Sequence, residues 1–206
     1  MKRNPIYLLL LAAVLVLPAL ATAHAYPEPA VVSPSWNLDV TIDRPQTIAV
    51  RNTGTGELDW YWYMPYKVVN NTGQEQLFIP EITIATDTGK IINTGDNVPA
   101  SVFRKVRQHL GNDLLLSPIE IVGPLRQGED FAKESVAIWP AFQEDVDEIR
   151  VFFSGLSGET QTIENPLTGE PVLMRRTLMI QYDMPGTPAS PEDESIIERS
   201  RTDVMR

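Results

Sequence analysis

Apolar and polar residues alternate along much of this chain with the period of a strand. Trp36, Leu38, Val40 and Ile42 alternate with Asn37, Asp39 and Thr41, which puts one side of an extended segment in a core and the other in water. Asp43-Arg44-Pro45 closes that strand, and residues 46–51 supply a second with Ile48 and Val50 inward. Asn52 to Gly56 reads as a turn, because Asn and Gly accept positive φ at little cost. The longest and most aromatic strand is expected over 58–70, followed by 76–86 with Phe78, Ile82 and Ile84. Asp87-Thr88-Gly89-Lys90 then turns a hairpin into Ile91-Ile92. Pro65 and Pro80 lack a backbone donor, which predicts edge or bulged strands around them.

The period changes once. Val102, Phe103, Val106 and Leu110 follow helical spacing, with Arg104, Lys105 and Arg107 off that face, and Gly111 is a suitable stop. One short amphipathic helix is expected over 100–110. Strand patterns resume at 119–122, 131–139 and 148–154, and a final long strand is expected over 172–182, after the turn Asn165 to Gly169. Many short strands and one helix predict a mostly β, antiparallel sandwich of about 7–9 strands occupying residues 36–183. Residues 184–206 hold two prolines beyond Pro185, several carboxylates and few large apolar side chains. That composition predicts an acidic disordered tail, or a marginal helix beginning near Ser190.

Residues 1–25 have a different character. Lys2 and Arg3 precede an uncharged apolar run from Ile6 to Leu17, Pro18 interrupts it, and Ala23-His24-Ala25 offers small residues where a signal peptidase reads. This is the order of a secretory signal peptide, with cleavage expected after Ala25. The run is too short for an uncleaved span, which wants roughly 20 apolar residues, so no stable membrane insertion is expected after cleavage. Residues 26–35, with Pro27, Pro29 and Pro34, form a stiff leader. Losing Lys2 and Arg3 leaves 15 basic against 27 acidic residues, a net charge of −12 for the mature chain. Such a surface repels phosphate backbones and argues against nucleic acid as a partner. There is no cysteine, so disulfides and lipid attachment at a cysteine are excluded. The expected location is the periplasm or beyond.

Two segments echo one another: Val50-Arg51-Asn52-Thr53-Gly54 and Val69-Asn70-Asn71-Thr72-Gly73 both run from strand into turn through V-x-N-x-G. With the strand pattern, residues 36–95 resemble the immunoglobulin-like modules of exported bacterial proteins. The resemblance implies an immunoglobulin-like sandwich and a role in adhesion, assembly, carbohydrate binding or spacing, and it carries no site residues.

Trp60-Tyr61-Trp62-Tyr63, with Tyr66 close behind, is the most unusual local feature. In a strand, Tyr61 and Tyr63 share one side and the tryptophans the other. Either the strand is central and buried on both sides, or one aromatic face is exposed and binds a sugar or a protein. Arg104, Lys105 and Arg107 are either the wet face of a packed helix or a contact for an anionic envelope partner. Ser157 lies in S-G-L-S-G-E, which lacks the spacing and following helix of a nucleophile elbow. His109 is the one histidine left in the mature chain. With no Cys and one His, no metal or cofactor is expected. The acidic run Glu144, Asp145, Asp147 and Glu148 lacks the order of a calcium loop and reads as a solvated loop. The expected role is non-enzymatic: a protein-interaction or structural module of the cell envelope. The alternatives are a carbohydrate-binding module using Tyr61, Tyr63 and Tyr66, and a hydrolase with dispersed carboxylates.

Overall fold

The computed structural model describes residues 36–142, 146–184 and 196–206; the expected signal peptide (1–25) and leader (26–35) lie outside them. In chain order the elements are β1 (Asp39–Ile42), β2 (Gln46–Arg51), β3 (Leu58–Val69), β4 (Gln76–Phe78), β5 (Glu81–Thr86) and β6 (Ile91–Asn93). Then come α1 (Ala100–Leu110), β7 (Gly123–Leu125), β8 (Lys133–Pro140), β9 (Glu148–Ser154), β10 (Thr160–Glu164), β11 (Pro171–Asp183) and β12 (Ile197–Met205). All strand pairings between these elements are antiparallel.

β3 is the centre of a four-stranded sheet. β8 pairs along one of its edges, from Tyr61 to Val68, while β2 and β1 share the other edge end to end. The break between β1 and β2 falls at Asp43–Pro45, opposite Pro65, whose carbonyl accepts from Asp43 N–H at 3.0 Å. Pro65 therefore sits in a central strand, contrary to the edge position expected for it. Its missing N–H faces the one gap in the ladder, where no acceptor waits for it.

The second sheet has six strands, in the order β6-β5-β9-β11 with β10 and β12 also on β11. β9 and β10 follow one another along one edge of β11, and β12 takes the opposite edge. The two sheets face each other across one core. Trp62, Met64, Tyr66, Val68 and Trp139 come from the first, and Ile82, Ile84, Val151, Phe153, Ile180 and Tyr182 from the second. A smaller core lies on the other side of the first sheet. There α1 lays Val102 and Val106 onto Ile48, Tyr61, Tyr63, Val136 and Ile138. The order of layers is thus helix, sheet, sheet.

Local chemistry explains the punctuation. Gly111 ends α1 in the left-handed region (φ 61°). The two V-x-N-x-G segments make the same turn: Asn52 Oδ1 accepts from Gly54 N–H at 2.9 Å, and Asn70 Oδ1 from Thr72 N–H at 3.0 Å. Asn70 is also fully buried, and its amide donates to the carbonyls of Gln74 (2.9 Å) and Leu125 (2.7 Å). That ties the end of β3 to the small β4–β7 sheet.

Several expectations need correction. Twelve strands are present among the described residues, above the expected 7–9. The expected 76–86 strand breaks at Ile79-Pro80 into β4 and β5, which enter different sheets. The expected strand at 119–122 is a turn, fixed by Ser117 N–H donating to Glu120 Oε2 at 2.9 Å. The disordered-tail reading of 184–206 fails at its end, where Ile197–Met205 is a strand. Polar side chains do not prevent pairing on an edge with one wet face. There Arg176 bonds Asp203, and Arg199 pairs with Asp183 at 2.9 Å.

Gly155, after β9, has φ 88°, and a Cβ there would collide with the carbonyl oxygen of Ile79. Gly155→Ala is expected to destabilise by about 3 kcal/mol. Gly89→Ala, with a similar φ of 86° but open space around it, should cost only about 1 kcal/mol. Urea-unfolding midpoints of the two variants test this; equal losses would contradict the collision.

Candidate functional site

The aromatic strand is structural. Tyr61 is 6% exposed, Tyr63 0% and Tyr66 5%, so the exposed-aromatic reading of these three residues is corrected. The cause is that β3 has a layer on each side: α1 covers Tyr61 and Tyr63, and the second sheet covers Trp62 and Tyr66. The Tyr63 hydroxyl donates to Gln46 Oε1 at 2.7 Å, and its ring meets the His109 ring edge-on at 6.1 Å. Tyr66 packs edge-on against Phe153, with centroids 5.0 Å apart. Burial raises the Tyr63 hydroxyl pKa, and burial with help from Asp59 raises that of Tyr61. Burial pushes Tyr66 up to about 12, against the opposing pull of Ser135. Tyr182 is also pushed up to about 12, by burial first and the Glu198 carboxylate second.

The basic residues of α1 lie on its solvent side. Arg104 and Lys105 are exposed and Arg107 half-exposed, while Val102 and Val106 of the same helix are buried. Arg107 donates to the carbonyl of Asp113, securing the chain just past the helix end. Ser157 serves a turn: its hydroxyl donates to the Trp36 carbonyl at 3.1 Å and accepts from Glu159 N–H at 3.1 Å. Glu144 and Asp145 lie outside the described residues, while Glu148 is drawn into ion pairs with Arg150 (2.7 Å) and Arg199 (3.6 Å). Among the described residues no group of three or more His, Asp or Glu is placed to hold a metal. Among them, too, no helix is long and apolar enough to cross a membrane.

The surface features that stand out are elsewhere, on the six-stranded sheet. β10 and the first residues of β11 form a two-stranded ribbon joined by Asn165 to Glu170. Most of its side chains are exposed on both faces: Leu167 is 92% exposed, Leu173 56% and Val172 37%. Ile163, Val172 and Met174 share one face of it, by register. Glu159 directs its carbonyl at Arg176 N–H in β11 (3.1 Å). By alternation, Thr160, Thr162 and Glu164 aim their backbone groups away from β11, along an edge that pairs with no strand among the described residues. The pairing of Trp36–Leu38 with Leu156–Gly158 stops where that edge begins.

The turn 165–169 and the strand from Val172 were expected; sequence reasoning missed β10 because Thr160-Gln161-Thr162-Ile163-Glu164 is polar and does not alternate. The turn chemistry of 165–169, flanked by Thr-rich and Val-Leu segments, was the available signal.

The contribution of Tyr66 and Tyr182 to stability should be constant up to about pH 10 and fall between 10 and 12. Tyr66 and Tyr182 hold their protons to about 12 when folded but release them near 10 when unfolded, so their contribution is complete below 10 and lost above it. Each accounts for about 2 kcal/mol by pH 12. Urea midpoints measured across that range, with Tyr66→Phe flattening the decline, check the assignment. No protein-family model matches the chain, and no curated protein or solved structure is found similar to it.

Proposed function

We propose that this chain is an exported, non-enzymatic interaction module of the cell envelope, immunoglobulin-like in plan, that engages another protein through the β10–β11 ribbon. The observation that carries this reading is the ribbon itself. An isolated two-stranded ribbon is marginal in water, and soluble chains ordinarily blunt open edges or keep them short. This one combines a backbone edge left unpaired among the described residues with Leu167, Val172 and Leu173 in solvent. An extended segment of a partner can add to such an edge by main-chain hydrogen bonds while apolar side chains settle on the ribbon face. The burial of Tyr61, Tyr63 and Tyr66 takes those three rings away from any sugar and leaves Trp60 (39% exposed) as the one exposed aromatic of residues 60–66. Periplasmic or secreted location rests on the charged head, apolar run and A-x-A site of residues 1–25.

Two outcomes are expected. N-terminal sequencing of the protein recovered from the cell envelope should begin at Tyr26; a chain starting at Met1 contradicts export by cleavage. Leu167→Asp combined with Leu173→Asp should leave the thermal midpoint within about 2 °C, since both side chains are exposed. The same variant should lose the protein that co-purifies with the wild type after light crosslinking. A partner retained by the variant, or none captured by the wild type, sinks the reading.

A further inference from the structure

The outward face of the six-stranded sheet carries a hollow of about 250 Å³, distinct from the ribbon edge. Its floor is Phe152, which is buried, and small residues (Ser154 two places on along β9, Thr83 and Thr177 on the neighbouring strands) leave the space above. Arg175 and Arg206 form its basic wall, and Glu81 is the acidic residue of its lining. Backbone hydrogen bonds run both ways between Arg175 and Arg206, at 2.7 and 3.0 Å. Their side chains are therefore direct cross-strand neighbours on one face.

Two like charges placed opposite one another repel, and a strand pair normally avoids this. Elsewhere on the same strands each arginine is neutralised: Arg150 by Glu148, Arg176 by Glu159 and Asp203, Arg199 by Asp183, and Arg201 by Glu198. Arg175 and Arg206 have no such ion pair among the described residues, although acidic side chains outnumber basic ones 27 to 17. Arg206 is instead drawn over the Phe152 ring, with its guanidinium carbon 4.2 Å from the centroid. A cation held on an aromatic face keeps its N–H edge free to bind. Nearby hydroxyls spend their protons on the protein: Thr83 donates to Asn93 Oδ1 (3.2 Å), and Thr177 to the Arg175 carbonyl (3.1 Å).

We propose that this hollow binds an oxyanion, the carboxylate or phosphate group of a small acidic ligand, between the guanidinium groups of Arg175 and Arg206. Planar guanidinium forks match either group in the same way. The bound charge relieves the repulsion between the two arginines, and Glu81 confines the anion to the arginine side. The excess of negative charge over the rest of the chain weakens unspecific anion binding.

The test is titration of the isotope-labelled protein with sodium phosphate and, separately, sodium acetate, against sodium chloride at matched ionic strength. Amide shifts of Ser154, Thr177 and Arg206 are followed. Saturable shifts with phosphate alone assign a phosphate group, with acetate alone a carboxylate, and either supports the site. Arg206→Gln and Arg175→Gln should each weaken binding at least tenfold with unchanged thermal midpoints, and Glu81→Gln should tighten it about threefold. Shifts that rise linearly with both salts, or saturable binding unaltered in both arginine variants, overturn the proposal.

Discussion

Everything in this fold depends on β3 having no free side over Tyr61–Met64. It is paired on both edges, by β8 along one and by β1 and β2 along the other, and it is covered on both faces. Tyr61 and Tyr63 face α1, while Trp62, Met64, Tyr66 and Val68 face the second sheet. Over Tyr61–Met64 neither side meets water, so apolar and polar residues do not alternate there, whereas the start of the strand is solvated at Leu58 and Trp60. Its run of Trp, Tyr and Met is the composition this place demands. Burial of side chains this large contributes most of what holds the layers together. The hydroxyl of Tyr63 is tolerated there because Gln46 accepts from it.

The same reasoning separates what was legible in the sequence from what was not. Residues 46–51, 100–110 and 148–154 were expected with the bounds observed, since each has a clear period and a clear stop. Gly111 ends the helix by its left-handed backbone, as its position after Leu110 suggested. The aromatic segment was recognisable as a strand, but its faces were not assignable, because what covers them comes from residues 100–140 and 148–182. The division at Pro80 was only half legible: the proline announced a break, but not that the two pieces would join different sheets. β10 and β12 escaped detection because edge strands with wet faces need no apolar alternation. Their stability comes from backbone pairing with β11 and from ion pairs such as Arg176 with Asp203.

The two outward sheet faces have opposite fates. The four-stranded sheet gives its outer face to α1, which leaves Arg104 and Lys105 as the solvated side of a covered surface. The outer face of the six-stranded sheet is polar and open, and there the strand register gathers Arg175, Arg206, Ser154 and Thr177 over Phe152. The ribbon extends from the same sheet. The hollow and the ribbon therefore both lie in the half of the molecule that the aromatic sequence did not advertise, and the buried aromatic half supports it.

The pairing of β3 also sets the pace at which this molecule can form. Tyr63 pairs with Gln46 nearby but also with Ile138, and Ile84 of β5 pairs with Ile92 nearby but also with Val151. Local hairpins such as β2–β3 and β5–β6 leave both sheets incomplete, so long loops must close before the β3–β8 and β5–β9 contacts reward them. Chains dominated by such distant pairings fold in milliseconds to seconds. During that interval the Pro-free Trp60–Met64 segment, strongly β-forming and uncharged, is uncovered and prone to pair with its own kind. The strand that makes the finished domain rigid is thus its principal hazard while folding, and a holding chaperone in its compartment would act on that segment first.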